Sequence, residues 1–181
     1  MIQLFPKFKN RMLLICAFYL VMVGFYITLK PGMNPIIPLL IAVVGVLVII
    51  VSQSLNAANA HAQMLARLYN QLDVDGFLKS YLPFLKLNLK SQSMRLMVRL
   101  HISNAYCAQG RFDEAEELLK SITIIPGKKH EDDLLSKFAI ISNLCYCAEQ
   151  KDDLEKAQKY MDDLLALKKE LEALQTGKPD K

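Results

Sequence analysis

Met12-Leu-Leu-Ile-Cys-Ala-Phe-Tyr-Leu-Val-Met-Val-Gly-Phe-Tyr-Ile-Thr-Leu29 and, after a short break, Ile36-Ile-Pro-Leu-Leu-Ile-Ala-Val-Val-Gly-Val-Leu-Val-Ile-Ile-Val51 are the two stretches that decide the architecture. The first is bounded by Arg11 and Lys30. At about 1.5 Å per residue it covers most of a roughly 30 Å hydrocarbon layer as a helix. The second is rich in Ile and Val, which in water suits a buried strand, but it far exceeds the usual strand of about five or six residues. In lipid only a helix or a closed barrel satisfies the backbone. Residues 1–52 therefore read as a transmembrane hairpin, with helices at about 12–29 and 36–52. The intervening Pro31-Gly32-Met33-Asn34-Pro35 reads as a tight turn. Pro35 and Pro38 fall in the first turn of the second helix, where a missing N–H costs little. A cleavable signal fits poorly, because two apolar runs precede Ala58-Asn59-Ala60 and a signal carries one within about 15–30 residues.

Charge separates this segment from the rest. No Asp or Glu occurs before Asp73, whereas both signs are dense beyond it. The net charge of +4 lies wholly in Lys7, Lys9, Arg11 and Lys30, so the remainder is balanced. That argues against a nucleic-acid partner, which needs a basic face. Mean hydropathy is +0.20 with 22% charged residues, an average over one apolar and one polar part. Three basic residues before the first helix, against Lys30 after it, place the N-terminus in the cytoplasm, and two crossings return the chain there. The expected location is the plasma membrane of a bacterium with both termini cytoplasmic. Neither apolar run holds an Asp, Glu, His or Arg, which favours anchoring over ion transport. Gly24, Ala42 and Gly45 are the small residues that would let membrane helices approach closely.

Beyond position 52 apolar residues recur at helical spacing, and nothing between Ser52 and Leu72 breaks a helix continuing from the membrane. Asp73-Val74-Asp75-Gly76 is the first stop. Further helices are expected from Phe77 to about Leu89, kinked at Pro83, from Met94 to Ala108, and from Asp152 to about Leu174. The last is expected to place Leu154, Ala157, Met161, Leu164, Lys168 and Leu171 on one stripe. Gly110 supplies the left-handed cap that ends the helix at Ala108. Cys107, Cys145 and Cys147 fall on these helices, where small thiols suit packing. Cys145-Tyr-Cys147 is not the Cys-x-x-Cys of redox or zinc sites, and Cys107 with His101 or His130 is the one combination with ligand chemistry.

One segment carries a motif: Asn104-Ala-Tyr106-Cys-Ala-Gln-Gly110-Arg-Phe112-Asp-Glu-Ala115-Glu-Glu-Leu-Leu119 resembles the tetratricopeptide repeat, with an aromatic late in helix A, glycine in the turn, and aromatic-Asp-Glu-Ala opening helix B. Tyr106 would fill the crevice between the two helices, small Ala115 would let them approach, and Pro126-Gly127 would close the unit. Degenerate copies flank it. Tyr69 and Leu78 repeat the spacing of Tyr106 and Ala115, and Ile141-Ser142-Asn143 repeats Ile102-Ser103-Asn104 before Asp153-Leu-Glu-Lys-Ala157. The expected fold is all-α: the hairpin, a repeat-like α-solenoid of about three helix pairs over residues 53–175, and a disordered tail at 176–181.

What the resemblance implies is a scaffold or adaptor that holds a protein or peptide partner along the A helices. Carried over, the partner-binding positions are Gln63, Arg67, Asn70, Leu100, Asn104, Asn143 and Tyr146, with Met97, Cys107 and Ala139 beside them. No catalytic, cofactor or metal site is predicted, since no phosphate-binding glycine loop, His-Glu-x-x-His or Gly-x-Ser-x-Gly occurs. The alternative is a subunit, catalytic or not, of a membrane enzyme or transport complex. The residues leave the oligomeric state open.

Overall fold

The computed structural model describes residues 5–29, 36–89, 91–124 and 130–176. Among these residues every regular element is helical. In chain order they are α1 Pro6–Leu29, α2 Ile36–Tyr69, α3 Val74–Tyr81, α4 Gln92–Ala108, α5 Phe112–Lys120, α6 His130–Gln150 and α7 Leu154–Thr176. A 3-10 helix at Leu82–Lys86 lies between α3 and α4. The turn expected at residues 31–35, the closing Pro126-Gly127 and the tail beyond Thr176 lie outside the described residues. The chain divides into two compact units, Met1–Asn70 and Gln71–Lys181.

The first unit is α1 packed along α2. The Tyr19 hydroxyl donates to the Ile41 carbonyl at 2.7 Å. A Cβ at Gly45 would overlap the Tyr19 ring, so glycine is what admits that ring. Ala42 is buried as well, whereas Gly24 has no neighbouring atom within 4 Å of where its Cβ would be. Of the three small residues, Ala42 and Gly45 are the ones at the contact. Both helices are long and apolar enough to cross a membrane, and their apolar side chains point outward, with Phe18 69% and Leu47 55% exposed. Helix α2 continues through Ser52 without a break. Pro38, Ala42, Gln53, Ala57, His61 and Leu68 form its buried face.

In the second unit, the Asp73-Val-Asp-Gly76 segment that reads as a stop is also a start. Asp73 caps α3, its carboxylate accepting the Gly76 N–H at 3.0 Å. The single helix expected over 77–89 is not formed: α3 ends at Tyr81 and the chain tightens into the 3-10 helix that contains Pro83. Proline has no N–H for the next α-helical bond and its ring crowds the preceding turn, so the helix stops rather than kinks. Phe77 and Tyr81 stack with centroids 4.6 Å apart, and Phe84 meets Tyr81 edge-on at 4.9 Å. All three are buried. Helix α4 opens at Ser91, whose Oγ accepts the Met94 N–H at 3.4 Å.

The helix pairs α4–α5 and α6–α7 are closed by one and the same turn. After α4, the Arg111 N–H bonds the Tyr106 carbonyl and the Gly110 N–H bonds that of Cys107, both at 2.9 Å, with Gly110 at φ 72°. After α6, Asp153 bonds Ala148 at 3.0 Å and Asp152 bonds Glu149 at 3.1 Å, with Asp152 at φ 56°. Both are Schellman closures with a left-handed residue. Asp152 therefore lies in a turn and does not open the last helix, as the sequence suggested; α7 begins at Leu154, and the Asp153 carboxylate caps it by accepting the Lys156 N–H at 3.3 Å.

Helix α7 also differs in phase from the expected stripe. Its covered face is Ala157, Tyr160, Leu164, Leu167 and Leu171, whereas Leu154, Met161 and Lys168 are exposed. Against α5 and α6 the core holds Ala115, Leu119, Ile140, Leu144 and Cys147, with Tyr106 packed on it. The Arg111 guanidinium covers the Tyr106 ring at 4.4 Å from its centroid.

Candidate partner-binding site

Helices α4 and α6 pack beside each other, which is the arrangement a groove along successive A helices requires. The predicted positions divide between the two units. Gln63 and Arg67 are exposed on α2 and Asn70 follows it, all in the first unit. Leu100 and Asn104 lie half-buried on α4, and Asn143 and Tyr146 lie on α6. The second unit thus brings four of the seven onto neighbouring helices.

The shared turn sets the register between these helices. Gly110 and Asp152 occupy the same place in their closures, as do Ala115 and Ala157 after them, both buried. Counted from the turns, the position matching Asn104 is Tyr146. Asn143 stands about one helical turn earlier on the same face. The Asn143 amide donates to the Ala139 carbonyl one turn back, at 2.8 Å, which holds its side chain along α6. Tyr146 is 45% exposed and meets the Phe112 ring edge-on at 6.3 Å.

Leu135 and Phe138 are further exposed apolar residues on the α6 face that carries Tyr146. The positions 135, 138 and 146 recur at helical spacing, a signal present in the sequence but hidden by the apolar residues between them. Amide groups and exposed Leu, Phe and Tyr side chains carried on neighbouring helices suit a peptide that offers both backbone polar groups and apolar side chains.

The thiols define the α4–α6 contact. Cys107 Sγ lies 3.5 Å from Cys147 Sγ, and neither His101 nor His130 takes that place. His101 meets Tyr81 edge-on, and His130 Nε2 lies 2.9 Å from Glu170 Oε1 on α7. The described residues contain no group of three His, Cys, Asp or Glu arranged to hold a metal ion. The Cys147 thiol beside Cys107 holds the Cys107 pKa below its ordinary value, while that same contact and burial push Cys147 up. Cys145 faces elsewhere, 3.5 Å from the Ala157 carbonyl, and burial raises its pKa.

Charge ties α5 to the end of α6. Lys151 Nζ reaches Asp113 at 2.5 Å and Glu116 at 2.8 Å, and Lys120 reaches Glu116 at 2.5 Å. Lys120 and then Lys151 hold the Glu116 carboxyl down to about 2.

Comparison of the chain with protein-family models, with curated proteins and with solved structures finds no match.

Proposed function

We propose that this chain is a membrane-anchored helical adaptor of tetratricopeptide-repeat type, which binds a protein or peptide partner on the cytoplasmic side. The observation that carries the anchoring is the outward apolar surface of α1 and α2. Side chains such as Leu14, Phe18, Val21, Leu39 and Val48 are more than half exposed, a surface far larger than water tolerates. A bilayer covers it. Two crossings, with Lys7, Lys9 and Arg11 before the first, put both termini in the cytoplasm.

The adaptor reading rests on two helix hairpins with the same closure, on α4 lying beside α6, and on Asn104, Asn143 and Tyr146 carried by those helices. The test is capture by crosslinking in native membranes. Asn104→Ala and Tyr146→Ala are each expected to weaken capture of a partner by about 0.5–3 kcal/mol, because a lost interfacial contact leaves its counterpart unpaired. Glu117→Ala, on an exposed position of α5, is expected to leave capture unchanged. Retention of every partner by both α4–α6 variants would refute the groove. Modification of a cysteine introduced at Lys181 by a membrane-impermeant thiol reagent in intact cells would reverse the topology.

A further inference from the structure

A cavity of about 260 Å³ opens where the chain after the 3-10 helix meets the first half of α4. Phe84, Leu87 and Val98 supply its apolar wall, Leu85 stands at its rim, and Asn88, Arg95 and Arg99 supply its polar groups. No carboxylate lines it among the described residues. Arg95 Nη1 donates to the Leu89 carbonyl at 2.6 Å, which fixes one guanidinium against the loop. Arg99 is different: its Nε is buried and has no acceptor among the described residues.

Two features make this a site suited to an anion. Arg95 and Arg99 stand four residues apart, so their charges share one face of α4 and repel. The buried Nε–H of Arg99 is a donor left without a partner among the described residues, which a folded protein seldom tolerates. An anion between the two guanidiniums answers both. The apolar wall adds a second requirement, since a bare inorganic ion would leave Phe84, Leu87 and Val98 uncovered.

We infer that this cavity binds the carboxylate of an acid with a short apolar body, received either as a free small molecule or as the last residue of a peptide chain. Guanidinium takes a carboxylate through two parallel N–H···O bonds, and the volume suits one branched or aromatic side chain. The site is separate from the Asn104–Tyr146 surface and does not depend on it.

The test uses the full chain in nanodiscs of zwitterionic lipid, with binding followed by ligand-observed nuclear magnetic resonance titration. The probes are 4-methylpentanoate and its uncharged amide, N-acetyl-Gly-Gly-Leu with a free carboxylate and as the C-terminal amide, and inorganic phosphate. At least one carboxylate is expected to bind at least tenfold more tightly than its amide and than phosphate. Tighter binding of the free acid assigns the site to a small metabolite, and tighter binding of the peptide to a partner's chain end. Arg99→Gln is expected to lower that affinity at least tenfold. Leu85→Asp, a change at a partly exposed rim position that places a negative charge beside the anion, is expected to do the same even if Arg99→Gln perturbs folding. Binding of neither carboxylate, equal binding of acid and amide, phosphate binding as tightly as the acids, or affinity unchanged in Leu85→Asp would overturn the inference.

Discussion

Leu119→Ala measures how firmly α5 is seated. Leu119 has no exposed surface and packs with Ala115 against Ile140, Leu144 and Cys147 of α6. Removing three carbon atoms forfeits about 2.4 kcal/mol of transfer free energy at roughly 0.8 kcal/mol per methylene. The surrounding helices relax only partly, and the residual cavity adds about 1 kcal/mol or more. The loss is therefore about 3–4 kcal/mol, a large share of the roughly 5–15 kcal/mol that holds a domain together. Amide hydrogen exchange of α5 and α6 peptides, read by mass spectrometry on the full chain in nanodiscs, is expected to accelerate roughly 10²–10³-fold where opening limits exchange. Leu118→Ala provides the control. Leu118 is the same residue type one position away, turned by about 100° and only half-buried, and its truncation is expected to cost about 1 kcal/mol or less. Equal acceleration by the two variants, or a Leu119→Ala effect below fivefold, would show that α5 is not held in this phase against α6.

Ala115→Trp is expected to disrupt the α5–α6 contact by about 1–3 kcal/mol or more, since Ala115 is fully enclosed and an indole has no room there; an unchanged melting curve for the second unit's exchange-protected core would refute this. Glu116 has a folded-state pKa of about 2 against an ordinary 4.5, so the stability it contributes is complete above about 4.5 and is lost as pH falls toward 2. After allowance for solvent screening at Lys120 and Lys151 that contribution is about 1–2 kcal/mol, and Lys151→Met is expected to shrink it in a pH titration of stability. Cys107 is expected to alkylate faster than Cys145 at mildly alkaline pH, because its pKa is lowered and that of Cys145 raised, and Cys147→Ala is expected to slow Cys107; equal rates measured by peptide mass spectrometry would contradict the thiol contact.

Much of this architecture was legible because it rests on local chemistry. Two long apolar runs and the glycine at 110 act locally, and the helices beside them follow. Pro83 was visible too, but whether a proline kinks a helix or ends it depends on what the next residues pack against, and Phe84 turning inward onto Tyr81 favours the ending. The phase of α7 was lost because apolar residues are spaced so closely there that two faces fit the pattern. Tyr160 and Leu167, packed inward, select one of them. The turn at Asp152 was misread because aspartate usually opens helices, and here a non-glycine residue holds the left-handed position. The recurrence of Ile-Ser-Asn at 102–104 and 141–143 pairs Asn143 with Asn104 in the sequence, whereas the two closures pair Tyr146 with it. The arginine-lined cavity had no local signature at all. Arg95 and Arg99 look like ordinary solvent-facing charges on an amphipathic helix until the segment after Phe84 folds over them.

The unbroken course of α2 makes its length a matter of rotational phase. A flexible linker after the apolar run would absorb an added or deleted residue without effect. In a continuous helix each residue turns everything beyond it by about 100° and advances it by about 1.5 Å. The buried face of α2 runs from Pro38 and Ala42 through Gln53, Ala57, His61 and Leu68 as one seam, so a single alanine inserted after Val51 would cut that seam in two and swing its lower half away. Seven inserted residues would nearly restore the angle, leaving it about 20° short of two turns, while lengthening the helix by about 10 Å. Angle and reach are thus separable along this one element, and chains of this design tolerate changes in helix length only in steps that keep the seam aligned.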